Sequence, residues 1–149
     1  ADVAAKYPVY KIEDVYHFNK YDTKTSPAFS VWTWFQLLMI LGFVSYLFGN
    51  IALIKELGPY NIFWYGGFIF LSVYALTDLM DRNASAIIIE IVRSGLGLYF
   101  IYTQDDWFGA STYLAALKYI LGAYFIFSIV VTGWFVIKHR KEDLNLTVA

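Results

Sequence analysis

The sequence contains no cysteine and few charged residues. The absence of cysteine excludes disulfides, thiolate metal sites and cysteine nucleophiles. Charged residues make up 15% of the chain, against about 25% in an ordinary soluble domain. The formal net charge is −1, so the chain lacks the basic surface that nucleic-acid binding requires, and we expect no nucleic-acid partner.

Histidine is equally scarce, since only His17 and His139 occur and both lie outside the apolar segments. Haem ligation and di-iron or zinc sites need inward-facing histidines or clusters of histidines and carboxylates. Both histidines are interpreted as solvated residues beside the membrane. No phosphate-binding loop, nucleophile elbow or cysteine motif is present. The sequence therefore predicts no catalytic, cofactor-binding or metal-binding residue in this chain.

Apolar side chains are abundant, at 59% of the 149 residues, and 21% are aromatic. A soluble domain of this length cannot bury so many, so the excess is predicted to face lipid or a large partner. Long stretches with few or no charges are the length of a helix that crosses a bilayer, about 20 residues. They predict spans at about residues 29–51, 59–77, 83–103 and 112–136. Residues 1–27 are predicted to form a polar and aromatic juxtamembrane segment, residues 28–137 the four-helix transmembrane domain, and residues 138–149 a basic and then polar tail.

The predicted fold class is an all-α membrane protein, a bundle of four transmembrane helices with short loops. Transmembrane strands are excluded because both faces of each segment are apolar and every backbone group in lipid needs an internal partner. Four spans bring both termini to one side of the membrane. Of the 11 lysines and arginines, eight fall on that side and only Lys55 on the other, which predicts cytoplasmic termini. The predicted interface anchors are Trp32, Trp34, Trp107 and Trp134.

Three charges lie well inside predicted spans: Glu90, Arg93 and Lys118. Glu90 and Arg93 are three residues apart and share one helix face, flanked by the small residues Ala86 and Gly97, so this face is predicted to point into the bundle. Glu90 is expected to meet both cations, with Asp78 as a second anion nearby. We predict an intramembrane polar cluster of these four charges. Two interpretations stay open, a buried ion pair that fixes helix packing and a site that binds lipid head groups or relays protons.

Two stretches carry a resemblance to a known family. One is Lys20-Tyr21-Asp22-Thr23-Lys24-Thr25-Ser26-Pro27, followed by Gln36-Leu37-Leu38 in the first span. The other is Leu76-Thr77, Asp81, Ala84-Ser85-Ala86, Glu90 and Arg93. Together with the four spans, they resemble the C-terminal transmembrane region of the sterol desaturase and fatty acid hydroxylase family, and most of all its alkylglycerol monooxygenase-like members.

The resemblance implies a role in lipid metabolism. In that family a histidine-rich di-iron centre oxidises lipids, and this chain contains none of its histidine motifs. The resemblance therefore implies that a di-iron cofactor belongs to a separate domain, and it carries no catalytic residue over to this chain.

Two functions follow as hypotheses. The first is an accessory or structural membrane domain without its own catalytic centre, associated with a lipid-modifying enzyme of the sterol desaturase type. The alternative is a small four-helix proton-coupled transporter that uses Glu90, although Arg93 one turn away would hold that carboxylate ionised. The expected partners are membrane lipids and either another membrane protein or further copies of this chain.

Overall fold

The structure, a computed structural model, describes residues 25–148, apart from the side chain of Leu146. Within this range the chain is all helical and contains no strand. The α-helices are α1 (Pro27–Gly49), α2 (Ile51–Leu57), α3 (Asn61–Met80), α4 (Ala86–Gln104) and α5 (Leu117–Val148), with a 3₁₀ helix at Ala110–Thr112. The predicted segment 1–27 therefore lies almost entirely outside the described residues.

Four of these helices, α1, α3, α4 and α5, are long and apolar enough to cross a membrane. The all-α fold with four such helices is thus confirmed, and this is the arrangement of a multi-pass membrane protein. The long helices begin and end near the predicted spans, with two larger differences. The first span stops at Gly49 and is followed by the separate short helix α2, and the last begins at Leu117 and continues to Val148.

Helix α1 begins at a proline, where the missing N–H costs nothing, and the Ser26 hydroxyl accepts a hydrogen bond from the Phe29 amide at 3.3 Å. It ends at Gly49, and the side-chain amide of the next residue, Asn50, donates to the Tyr46 carbonyl at 3.1 Å. Helix α2 then packs against α3. The chain therefore breaks at Asn50, and the short helix α2, which the charge pattern does not predict, lies between the first two long helices.

The connection before α5 is folded into the bundle. Asp105, Phe108 and Gly109 adopt positive φ angles, and the resulting turn buries Trp107 and Phe108 completely or nearly so. The Asp106 carboxylate accepts hydrogen bonds from the Trp107 amide and from the amide and hydroxyl of Ser111. Residues 105–116 thus form a folded connection, which we call the Trp107 cap. It includes residues predicted as the start of the last span, and α5 starts only at Leu117.

Consecutive long helices run antiparallel. Helix α1 also lies beside α5, and their side chains are in contact. Phe29 contacts the His139 ring at a centroid distance of 4.8 Å, Trp32 bonds to Thr132, and Phe43 stacks on Phe125. We call the end that carries Phe29 and His139 the terminal end. Helices α4 and α5 approach closely because Gly97 leaves space for the ring of Phe125, as the small residues predicted.

Two apolar clusters fill the bundle. A large aromatic cluster lies toward the end that carries the Trp107 cap, and a smaller one at the terminal end is built on Phe29, Trp32 and Phe135. Between them, along α1, α4 and α5, lie the buried polar residues Gln36, Glu90, Arg93, Ser94 and Ser128. The fold thus encloses one polar layer between two apolar ones.

Candidate functional site: a buried polar network

Glu90 and Arg93 form an ion pair in the interior of the bundle. Their residues are 4% and 1% exposed. The Arg93 guanidinium donates from Nη2 to Glu90 Oε1 at 2.6 Å and from Nε to Oε2 at 3.2 Å. This two-point geometry is the stronger form of a charge-assisted hydrogen bond, and it requires the planar fork of arginine. The predicted pairing on one inward face of α4 is what the structure contains.

The ion pair closes a ring of hydrogen bonds across three helices. Arg93 Nη1 donates to the Tyr124 hydroxyl at 3.2 Å, and that hydroxyl donates to Gln36 Oε1 at 2.5 Å. Gln36 Nε2 donates to the Ser128 hydroxyl at 2.5 Å, and Ser128 donates to Glu90 Oε1 at 2.6 Å. These hydrogen bonds form a continuous chain from the Arg93 guanidinium to the Glu90 carboxylate. In such a chain, neighbouring hydrogen bonds polarise one another.

Two further contacts hold the ion pair. Ser94, one turn after Glu90, donates to the carboxylate at 2.7 Å, and the guanidinium lies over the Tyr124 ring at 5.5 Å from its centroid, a distance at which a cation and an aromatic face attract. No buried side-chain nitrogen or oxygen of residues 25–148 lacks a hydrogen-bond partner. The polar layer is thus fully satisfied by the chain's own groups.

Little empty space remains beside this network. A cavity of about 10 Å³ touches Gln36, Ser72, Glu90 and Arg93, and its other walls are apolar residues of α3. That volume corresponds to roughly one water molecule. The network is therefore packed too closely to admit a substrate without rearrangement of the helices.

The predicted meeting of Glu90 with Lys118 is wrong. Lys118 lies in the first turn of α5, near the end of the bundle opposite the terminal end, and its ammonium pairs with the exposed Asp105 at 2.8 Å. The prediction placed the helix start at residue 112, which would carry Lys118 deeper into the membrane. Because the Trp107 cap delays the helix start to Leu117, Lys118 stays at the surface of the bundle.

Asp78 is buried but does not join the network either. Its carboxylate accepts from Asn83 Nδ2 at 2.6 Å and from the Ser85 hydroxyl at 2.8 Å. These bonds tie the end of α3 to the turn that leads into α4, where Arg82 adopts a φ of 56°. Asp78 therefore stabilises a turn. Its position near the end of a predicted span is compatible both with this role and with a place in the polar cluster, so the sequence alone did not separate the two.

The four tryptophans predicted as interface anchors divide into two kinds. Trp34 and Trp134 are 64% and 55% exposed and stay candidates for anchors. Trp32 and Trp107 are 6% and 1% exposed, and their indole N–H groups bond to Thr132 and Tyr65. Anchoring is therefore the wrong interpretation for Trp32 and Trp107, since a buried indole with an internal partner has no surface to offer the interface.

The sequence prediction missed the polar partners of the ion pair: Gln36, Tyr124, Ser128 and Ser94. Part of the signal was present, because Tyr124 and Ser128 are four residues apart and so lie on one face of α5. Ser94 follows Glu90 by the same spacing. The contribution of Gln36 could not be foreseen, because it depends on α1 lying opposite α5.

His139 differs from the prediction of a solvated histidine. It is buried at the terminal end, with its ring against Phe29 and Phe135. His17 lies outside the described residues. Among residues 25–148, no group of three or more histidine, cysteine or acidic side chains is placed to hold a metal ion.

A wide apolar groove runs between α1 and α5 near the terminal end. Its volume is about 620 Å³, and it opens to the outside of the bundle. From α1 it is lined by Ala28, Val31, Trp32 and Phe35, and from α5 by Phe127, Val130, Val131, Trp134 and Phe135. This groove is separate from the polar network and is the larger concave surface of the two.

Comparison of the chain with family models, with curated proteins and with solved structures gave no match. The resemblance to the sterol desaturase and fatty acid hydroxylase family therefore stays a prediction made from the residues quoted above.

Proposed function

We propose that this chain is an integral membrane accessory domain without its own catalytic centre, associated with a lipid-modifying membrane enzyme of the sterol desaturase type. The observation that carries the proposal is that the buried polar groups of the network all form hydrogen bonds with other groups of the chain. Glu90 and Arg93 are the charges buried deepest among the described residues, and their hydrogen-bonding capacity is used within the chain. Such a network fixes helix register rather than performing chemistry.

The same observation favours this role over proton-coupled transport through Glu90. A transport site needs a carboxylate that substrate or water can reach in turn from each side of the membrane. Here the carboxylate accepts from Arg93, Ser94 and Ser128, and the adjoining cavity has room for about one water. Transport would require the three helices that share the ring to separate.

The association with a lipid-modifying enzyme rests on the sequence resemblance. Gln36, Glu90 and Arg93 belong to the stretches that carry it, and all three are members of the buried ring. If the ring sets the helix packing of the family's C-terminal membrane region, members of the family should share residues at these positions. The di-iron chemistry would then reside in a separate histidine-rich domain.

We further propose that both termini lie in the cytoplasm. Phe29, near the start of α1, contacts His139 of α5, so the start of α1 and the final part of α5 lie at one end of the bundle. That end also holds Lys138, Arg140 and Lys141, while Lys55 lies toward the other. The excess of basic residues at the terminal end supports the cytoplasmic side.

Purification of the tagged chain from its native membranes in mild detergent, followed by quantitative mass spectrometry, tests the accessory role. We expect one membrane protein with histidine-rich motifs to accompany the chain in a fixed molar ratio. An unrelated tagged four-span protein expressed at the same level is the control. Recovery of the chain alone, or transport by the reconstituted chain that disappears in Glu90→Gln, would contradict the proposal.

A further inference from the structure

The surface of the groove between α1 and α5 is almost entirely apolar, although some of its residues carry polar atoms. Trp32 forms part of it, and the indole N–H of Trp32 is already bonded to Thr132 at 3.3 Å. The remaining lining side chains are aliphatic or phenyl rings, apart from the exposed indole of Trp134. Apart from the indole N–H of Trp134, the groove therefore offers no hydrogen-bonding group to an occupant, and it favours hydrocarbon.

The depth of the groove matches one leaflet of a bilayer. On α1 it extends from Ala28 to Phe35, eight residues separated by seven helical steps, which is about 10 Å at the helical rise. Half of a hydrocarbon core is about 15 Å. The groove begins at the terminal end, so it lies within the leaflet on that side and does not cross the membrane midplane.

The shape of the groove favours a flexible occupant over a rigid helix. The groove is open along one side and is lined by side chains of different size, from Ala28 to Trp134. Acyl chains adapt to such an uneven surface, whereas a helix from a second copy of this chain would have to match it as a rigid body.

A cation stands at the mouth of the groove. Lys138 follows the lining residue Trp134 by one helical turn, and its ammonium lies 5.4 Å from the centroid of one of the indole rings of Trp134. Lys138 is half-buried and pairs with no carboxylate of residues 25–148. A cation on an aromatic ring at this depth is placed to meet the phosphate of a lipid whose chains occupy the groove.

We infer that the groove between α1 and α5 binds one anionic phospholipid from the leaflet at the terminal end, with its acyl chains against Val31 and Val130 and its phosphate at Lys138. This inference goes beyond the proposed function, because it holds whether or not an enzyme partner exists. The inference concerns the apolar surface of the groove and the charge of Lys138, neither of which belongs to the polar network.

Native mass spectrometry of the full chain in detergent, with phosphatidylglycerol or phosphatidylcholine of identical acyl chains added, tests the inference. We expect one retained lipid per chain and a preference of about fivefold for phosphatidylglycerol, the contribution of one basic residue near the membrane surface. Lys138→Gln should remove that preference, with retention of phosphatidylcholine unchanged. Lys55→Gln is the matched control, because Lys55 is exposed and lies in α2, toward the end of the bundle opposite the groove.

A second pair of variants tests the apolar half of the site. Ala28→Trp places an indole in the groove, and retention of both lipids should fall to that of detergent background. The control Ala52→Trp adds the same side chain at an exposed alanine in α2 and should retain lipid as the unaltered chain does. Since both alanines are exposed, neither substitution disturbs the core.

Three results would overturn the inference. One is equal lipid retention by Ala28→Trp and the unaltered chain, and another is an equal effect of Lys138→Gln and Lys55→Gln. The third is a lipid-free dimer that Ala28→Trp converts to monomer, which would assign the groove to a second copy. The accessory role could survive each of these results, because it is tested by the enzyme that accompanies the chain.

Discussion

Removal of the Arg93 guanidinium is the perturbation to which this structure should be most sensitive. Arg93→Met keeps a flexible side chain of similar length and deletes the charge. The substitution leaves Glu90 as a buried carboxylate with only the two serine hydroxyls as donors, and it takes the donor away from Tyr124. The ring of hydrogen bonds would then be open at two points.

The expected loss follows from the cost of an unpaired buried charge. Removing one partner of a buried ion pair in a protein costs about 3–5 kcal/mol. Glu90→Gln should cost a comparable amount, because it leaves the guanidinium without its counter-charge. The double variant Glu90→Gln, Arg93→Met restores neutrality, so its loss should be smaller than the sum of the two single losses by at least about 2 kcal/mol.

Reversible unfolding in mixed micelles, with helicity followed against denaturing detergent, measures these losses. Lys118→Gln is the control for loss of a cation, because Lys118 pairs with Asp105 at the surface, and it should leave the midpoint unchanged. If Arg93→Met were as stable as Lys118→Gln, or if the two single losses simply added, the ion pair would not hold the bundle together.

Two other substitutions test the packing on either side of the polar layer. Gly97→Ala should destabilise the bundle by about 1–3 kcal/mol, because the added Cβ would lie 2.5 Å from the Phe125 ring, whereas Gly95→Ala, with nothing within 4 Å, should not. Trp107→Ala should cost about 3–5 kcal/mol, since the indole fills the aromatic cluster, and Trp34→Ala, at a 64% exposed position, should cost far less. Equal losses within either pair in the same unfolding assay would contradict the packing described.

The number and nature of the long helices could be predicted from sequence because the bilayer imposes a simple condition. A helix that crosses lipid needs about 20 apolar residues, and charges therefore mark its ends. The same condition predicts that Glu90 and Arg93 face inward, since three-residue spacing places them on one face. Local spacing was sufficient because both residues belong to one helix.

Features that depend on contacts between distant segments could not be predicted in this way. The start of α5 at Leu117 results from burial of Trp107 and Phe108 by the rest of the bundle. A run of uncharged residues gives no sign of that burial. For the same reason the sequence misplaced Lys118 and did not identify Gln36, which reaches Ser128 only because α1 lies opposite α5. Periodicity describes one helix at a time, and the polar ring belongs to three.

The most direct test of the central claim, that the Glu90–Arg93 network is structural, is a measurement of proton flux. Liposomes that contain the chain, with a pH-sensitive dye inside, are exposed to a membrane potential. We predict that the unaltered chain, Glu90→Gln and protein-free liposomes show the same rate of proton entry. A faster rate with the unaltered chain that Glu90→Gln abolishes would contradict the claim and favour a proton-coupled transporter.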